Sequence, residues 1–170
     1  MSTVVTFVHW MNASSGLPEV FNAYSWLWPM FEIVHFAGMV MLIGTVGLLD
    51  LRLLGVATSL RPAPFQRLVP WGLAGFAMNA VTGVLFVAGN QFADTEYVPN
   101  PAFHWKLIFI ALAAVNAGLF YVLGIGARVD ALAEGERAPG AAKLIAATSL
   151  CLWIGVIAFG RLFPYMGDAF

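Results

Sequence analysis

Residues 26–49 read WLWPMFEIVHFAGMVMLIGTVGLL. The run is apolar around its whole helical circumference. It holds one formal charge, Glu32, and one histidine, His35. Crossing a hydrocarbon core of about 30 Å takes about 20 mostly apolar residues in a helix. Residues 26–49 therefore predict a membrane span. Working outward, three further runs meet the same criterion, at about 68–89, 103–126 and 144–166. The interruptions have physical causes. Asp50 and Arg52 end the first run, and Arg61, Pro62, Pro64 and Arg67 fill the connection after it. Residues 90–101 carry Asp94, Glu96 and two prolines, while 128–143 hold six charges with Gly135, Pro139 and Gly140. Asn100-Pro101 suits a helix start, with Asn as cap and Pro in the first turn.

Composition agrees. Of 170 residues, 61% are hydrophobic and 10% are charged, against about 25% charged in an average soluble domain. Eight basic and nine acidic side chains cannot wet a soluble protein of this length. A disordered chain is excluded on the same ground. With a net charge of -1 and no basic stripe, a nucleic-acid partner is excluded too. Cys151 is the sole cysteine, so no intrachain disulfide forms. The expected fold class is all-α, an integral membrane four-helix bundle over 26–170. An interfacial amino-terminal arm over 1–25 precedes it, with a short helix at 3–11 lying on the membrane and a turn at 12–16. Trp10, Tyr24, Trp26 and Trp28 suit the membrane–water interface.

Lysine and arginine set orientation. Arg52, Arg61 and Arg67 lie in the first connection, and Arg128, Arg137 and Lys143 in the third. The second connection is acidic, and the amino-terminal arm has no Lys or Arg. Both basic connections are expected in the cytoplasm. Both termini then face outward, toward the periplasm if the protein sits in a Gram-negative inner membrane. Helices in lipid pack through small residues and hydrogen bonds. Gly44 and Gly47, then Gly75, Asn79 and Gly83, then Ala114 and Gly118, then Ala147, Cys151 and Gly155 are the small-residue faces of the four spans. Asn79 and Asn116 lie at similar depth and could bond to each other. Asp50 and Arg52 read as a solvated pair at the inner end of the first helix.

Depth counting gathers the remaining ionisable residues. His35 lies nine residues past Trp26, about 14 Å along its helix at about 1.5 Å per residue, and Glu32 is one turn above it on the same face. His104 and Lys106 begin the third span, and Arg161 nears the end of the fourth. All five fall in the outer half, where such groups need partners or a polar cavity. Two histidines on different helices suit haem b, each giving an axial bond, and a single axial histidine, either one, is a variant. In this reading Lys106 and Arg161 meet the propionates and Glu32 orients His35. The structural alternatives are a neutral His35 bonded to a carbonyl or to Glu32, and ion pairs from Glu32 to Arg161 or Lys106. Glu32-x-x-His35 is also half of a di-iron motif, but the second half is missing.

His35-Phe-Ala-Gly38, Asp50-Leu-Arg-Leu-Leu-Gly55, Trp71-Gly-Leu-Ala-Gly-Phe76, Thr82-Gly83 and Asn100-Pro-Ala-Phe-His-Trp-Lys106 together resemble a family of small, uncharacterised bacterial four-helix membrane proteins. The resemblance covers about residues 26–126 and implies the fold and a membrane location, but no reaction. More distantly, an early histidine in the first helix is similar to copper-resistance-D-type proteins and cytochrome b membrane subunits, which favours His35 as a ligand. The functional expectation is a haem-b-binding electron-transfer protein or membrane anchor, with a redox partner or quinone and no bond chemistry of its own. The alternative is a cofactor-free accessory subunit of a larger complex or homo-oligomer. A small transporter is a third reading, for which the chain offers no inverted repeat.

Overall fold

The computed structural model describes residues 3–166. Their elements are α1 (Thr3–Ser15), α2 (Leu17–Ala23), α3 (Leu27–Leu54), α4 (Ala63–Gln66), α5 (Val69–Gly89), α6 (Ala93–Glu96), α7 (Pro101–Val122), α8 (Ile125–Asp130), α9 (Gly140–Leu162) and a closing 3₁₀ turn, Phe163–Tyr165. Four helices are long and apolar enough to cross a membrane, and the architecture is an all-α four-helix bundle. The ends of the bundle differ. One, the basic end, carries residues 55–68 and 123–139. The other, the acidic end, carries the amino-terminal arm and residues 90–100.

The helix ends follow from local chemistry. The long α3 stops where Gly55 takes a left-handed conformation, φ 110°. There Gly55 N–H donates to Arg52 O (3.2 Å) and Val56 N–H to Leu51 O (3.0 Å). These two bonds make a Schellman ending, which favours glycine at the left-handed position. At the start of α7, the Asn100 side chain accepts from Ala102 N–H at 2.9 Å, as the Asn-Pro pair predicts. Its Nδ2 also donates to Phe163 O at 2.9 Å, tying the start of α7 to the end of α9.

Packing joins α3 to α5 and α7 to α9, and α3 to α9 links the two pairs. α3 and α5 meet at Gly38 and Gly75. A Cβ on Gly75 would lie 2.5 Å from Gly38 O and 2.8 Å from Leu42 N. Backbone atoms cannot yield, so Gly75→Leu should force the helices apart and destabilise the protein by roughly 1–3 kcal/mol. Circular-dichroism melting in detergent checks this. Gly83→Ala is the control with little effect, because Gly83 faces open space. On the other pair, Gly155 receives the Phe109 ring. The small-residue expectation thus holds at Gly75 and Gly155 and fails at Gly44, Gly83 and Gly118, where nothing approaches, and at Cys151, which is exposed. The buried apolar core lies toward the basic end, where Leu49 and Leu53 meet Phe120, Ile125, Val129, Ala142 and Ala146.

Three sequence expectations need correction. First, the arm is two helices broken only at Gly16, φ 66°, so residues 12–15 are helical, not a turn. Asn12 is buried and its Nδ2 donates to Asn90 O at 2.6 Å, and α2 packs its Phe21 onto Gly89 of α5. Secondly, Asn79 and Asn116 do not bond to each other. Asn79 Nδ2 donates to Gly75 O of its own helix (2.9 Å), while Asn116 Nδ2 donates to Ile145 O of α9 (3.1 Å). Equal depth does not make neighbours when α5 and α7 belong to different helix pairs. Thirdly, Asp50 and Arg52 are not solvated, being only 5% and 1% exposed. Arg52 Nη2 donates to Thr58 O and Glu136 O (both 3.1 Å), and its Nε donates to Leu60 O (2.5 Å). One guanidinium thereby holds both basic connections against the end of α3, where a cation also complements the helix dipole.

Candidate functional site

The side chains singled out in the outer half lie toward the acidic end, where the two helix pairs carry separate aromatic clusters. Phe21, Trp28, Phe31 and Phe86 pack around α3 and α5. Tyr97, Phe103 and Phe163 pack around α7 and the 3₁₀ turn. His35 comes from the first pair and Lys106 from the second, and they are near enough to interact electrostatically.

His35 is half-buried beside Phe86, with ring centroids 5.5 Å apart. Its Nδ1 lies 2.7 Å from Thr82 Oγ1 of α5. The hydroxyl has one proton, and it donates that proton to Met78 O at 2.7 Å, one turn back on its own helix. With the hydroxyl proton on Met78 O, Thr82 accepts from His35 and the imidazole proton sits on Nδ1, one of the two tautomers this contact allows. The lone pair is left on Nε2, the arrangement in which a ligating histidine is held by a hydrogen bond from its other nitrogen. Thr82, not Glu32, is the orienting group. Depth would have found it: Thr82 is seven residues before Gly89, about 11 Å from the acidic end of α5.

Glu32 accepts instead from Trp28 Nε1 at 3.1 Å. Helical side chains lean toward the amino terminus, so Glu32 reaches back to position i−4 rather than forward to His35. It makes no ion pair with Arg161 or Lys106 among the described residues. Arg161 is exposed and sits over the Tyr165 ring, 5.9 Å from its centroid. His104 is exposed, and its ring neighbours Phe103. Lys106 is half-buried, and its terminal atoms run along the bare backbone of Gly160, where a Cβ would lie 3.7 Å from Nζ. Among the described residues no acidic side chain pairs with it. Just outside the spans, burial and the neighbouring Glu96 carboxylate push the Tyr97 hydroxyl above its ordinary pKa, so it stays a neutral phenol.

The structure therefore brings His35 together with Thr82, Phe86 and the charge of Lys106, and leaves Glu32, His104 and Arg161 on exposed positions. Among the described residues no three His, Cys, Asp or Glu side chains gather closely enough to hold a metal ion by themselves. What the geometry offers is one oriented imidazole nitrogen, an aromatic wall and an unpaired cation. No protein-family model matches the chain, and no curated protein or solved structure is significantly similar to it.

Proposed function

We propose that this membrane protein binds haem b through His35 and serves as an electron-transfer or membrane-anchor subunit. The observation that carries the reading is the Thr82–His35 hydrogen bond within a membrane-spanning helix, which, in the tautomer with the proton on Nδ1, leaves the Nε2 lone pair free to ligate iron. The donor set fits the group. Haem needs one or two axial nitrogens from the protein, a flat apolar wall such as Phe86, and cations for its propionates. Lys106 is an unpaired cation at the right end of the bundle, and unpaired charge inside a bilayer calls for a partner. Arg161 and His104, on exposed positions outside this cluster, are the candidate second propionate partner and second ligand. Bound there, haem supplies one-electron transfer to a redox partner or quinone. The protein's residues fix the imidazole, balance charge and exclude bulk water, and are not enzymatic by themselves.

Purification in mild detergent from haem-sufficient cells tests this directly. A Soret band with reduced α and β bands supports it, and a colourless folded protein overturns it. A cofactor-free accessory or homo-oligomeric subunit is the second reading. Gly44, Gly83 and Gly118 favour it, since they present bare helix faces with nothing packed on them. The basic connections favour an orientation with both termini outside, which in the bacterial inner membrane proposed here is the periplasmic side. Alkaline phosphatase fused after Phe170 should be active, and the corresponding cytoplasm-dependent fluorescent fusion dark. The reverse pattern contradicts the orientation.

A further inference from the structure

At the basic end, α5 begins and α7 ends in different helix pairs, and a wedge opens between them. It holds an open surface depression of about 410 Å³ lined chiefly by Gln66, Arg67, Val69, Pro70, Tyr121 and Asp130. Gln66 Nε2 donates to Gly126 O at 3.0 Å, fixing one wall to the other. Val69 and Pro70 form the first turn of α5, and with the Tyr121 ring they offer apolar surface where the spans leave the hydrocarbon. Arg67 and Asp130 place opposite charges at the same opening. Both side chains are exposed, and neither has a hydrogen bond or ion pair among the described residues.

We propose that this open depression holds the headgroup of an aminophospholipid, with its phosphodiester at Arg67 and its primary ammonium at Asp130. Charge complementarity selects the class. The guanidinium suits a phosphate, while the Asp130 carboxylate accepts hydrogen bonds from an ammonium. A choline headgroup has no N–H to donate, and a glycerol headgroup brings its negative charge toward Asp130 with no ammonium to offset it. The acyl chains continue along the apolar first turn of α5 into the bilayer. Basic pockets between spans at a membrane face are established headgroup sites. The added carboxylate sets this one apart.

Native mass spectrometry of the full chain, titrated with dioleoyl phosphatidylethanolamine, phosphatidylcholine and phosphatidylglycerol, tests the proposal. The wild type should bind the ethanolamine lipid about fivefold or more tighter than the other two. Asp130→Asn should bring the ethanolamine and choline lipids within about twofold, Asp130→Lys should move the preference to phosphatidylglycerol, and Arg67→Ala should weaken all three. Neither side chain holds the fold together, so unchanged melting temperatures are expected for all three variants. Equal binding of the three lipids by the wild type overturns the proposal. So does an ethanolamine preference that survives in Asp130→Asn.

Discussion

His35→Ala should abolish the Soret and α-band absorbance of the purified protein while leaving its fold in place. His35 is half-buried, and among the described residues its side chain hydrogen-bonds only to Thr82. Losing that bond costs about 1 kcal/mol, too little to unfold a four-helix bundle. Losing the nitrogen that would bind iron removes the cofactor altogether. Melting temperature and absorbance therefore separate, and that separation distinguishes a ligand from a structural histidine. Thr82→Val is the companion measurement. It keeps the size of the side chain and removes the acceptor for Nδ1–H. Haem affinity should fall about 10–100-fold, and Thr82→Ser should restore it. His104→Ala then assigns the other axial position. A change from a low-spin to a high-spin spectrum places His104 on the iron, and an unchanged spectrum leaves His35 as the one protein ligand.

The largest effect on stability belongs to Arg52. Arg52→Met keeps much of the length and removes the donors, stranding the carbonyls of Thr58, Leu60 and Glu136. Hydrogen bonds from a charged donor are worth about 1.5–3 kcal/mol each, so losing these three should cost several kcal/mol. Arg52→Lys should recover only a minor part, because an ammonium cannot reach three carbonyls with the fixed fork of a guanidinium. Thermal melting in detergent gives the stability. Limited proteolysis should show new cleavage within residues 55–62 and 133–137, the segments Arg52 holds. The proposed haem site is at the far end of the bundle, so Arg52→Lys preparations that remain folded should keep their spectrum.

The four spans were legible because an uninterrupted apolar run of membrane length has few other uses. The α7 start was legible because Asn100-Pro101 acts locally. Partners across space were not. Arg52 read as solvated, since a charge next to the end of a span faces water by default. Nothing in the sequence said that two connections would fold back over it. Asp50 misled in the same way, for it is buried in the last turns of α3 and near Ser149 of α9. Glu32 was placed on the face of His35 by spacing alone. The lean of helical side chains toward Trp28 decided its actual bond. Thr82 was overlooked because a lone threonine in an apolar helix usually bonds only its own backbone. It does so here, and by doing so it becomes an acceptor for His35. Asn79 and Asn116 show the limit of depth counting, which ranks residues along the membrane normal but does not say which helices are adjacent.

The central claim is that an imidazole oriented by Thr82 binds haem within the bundle. Haem quantification on wild-type protein from haem-sufficient cells, set against protein concentration by amino-acid analysis, tests it most directly. The expected result is haem b close to one per chain, absent from His35→Ala. Folded wild-type protein without haem, or equal haem content in His35→Ala, contradicts it.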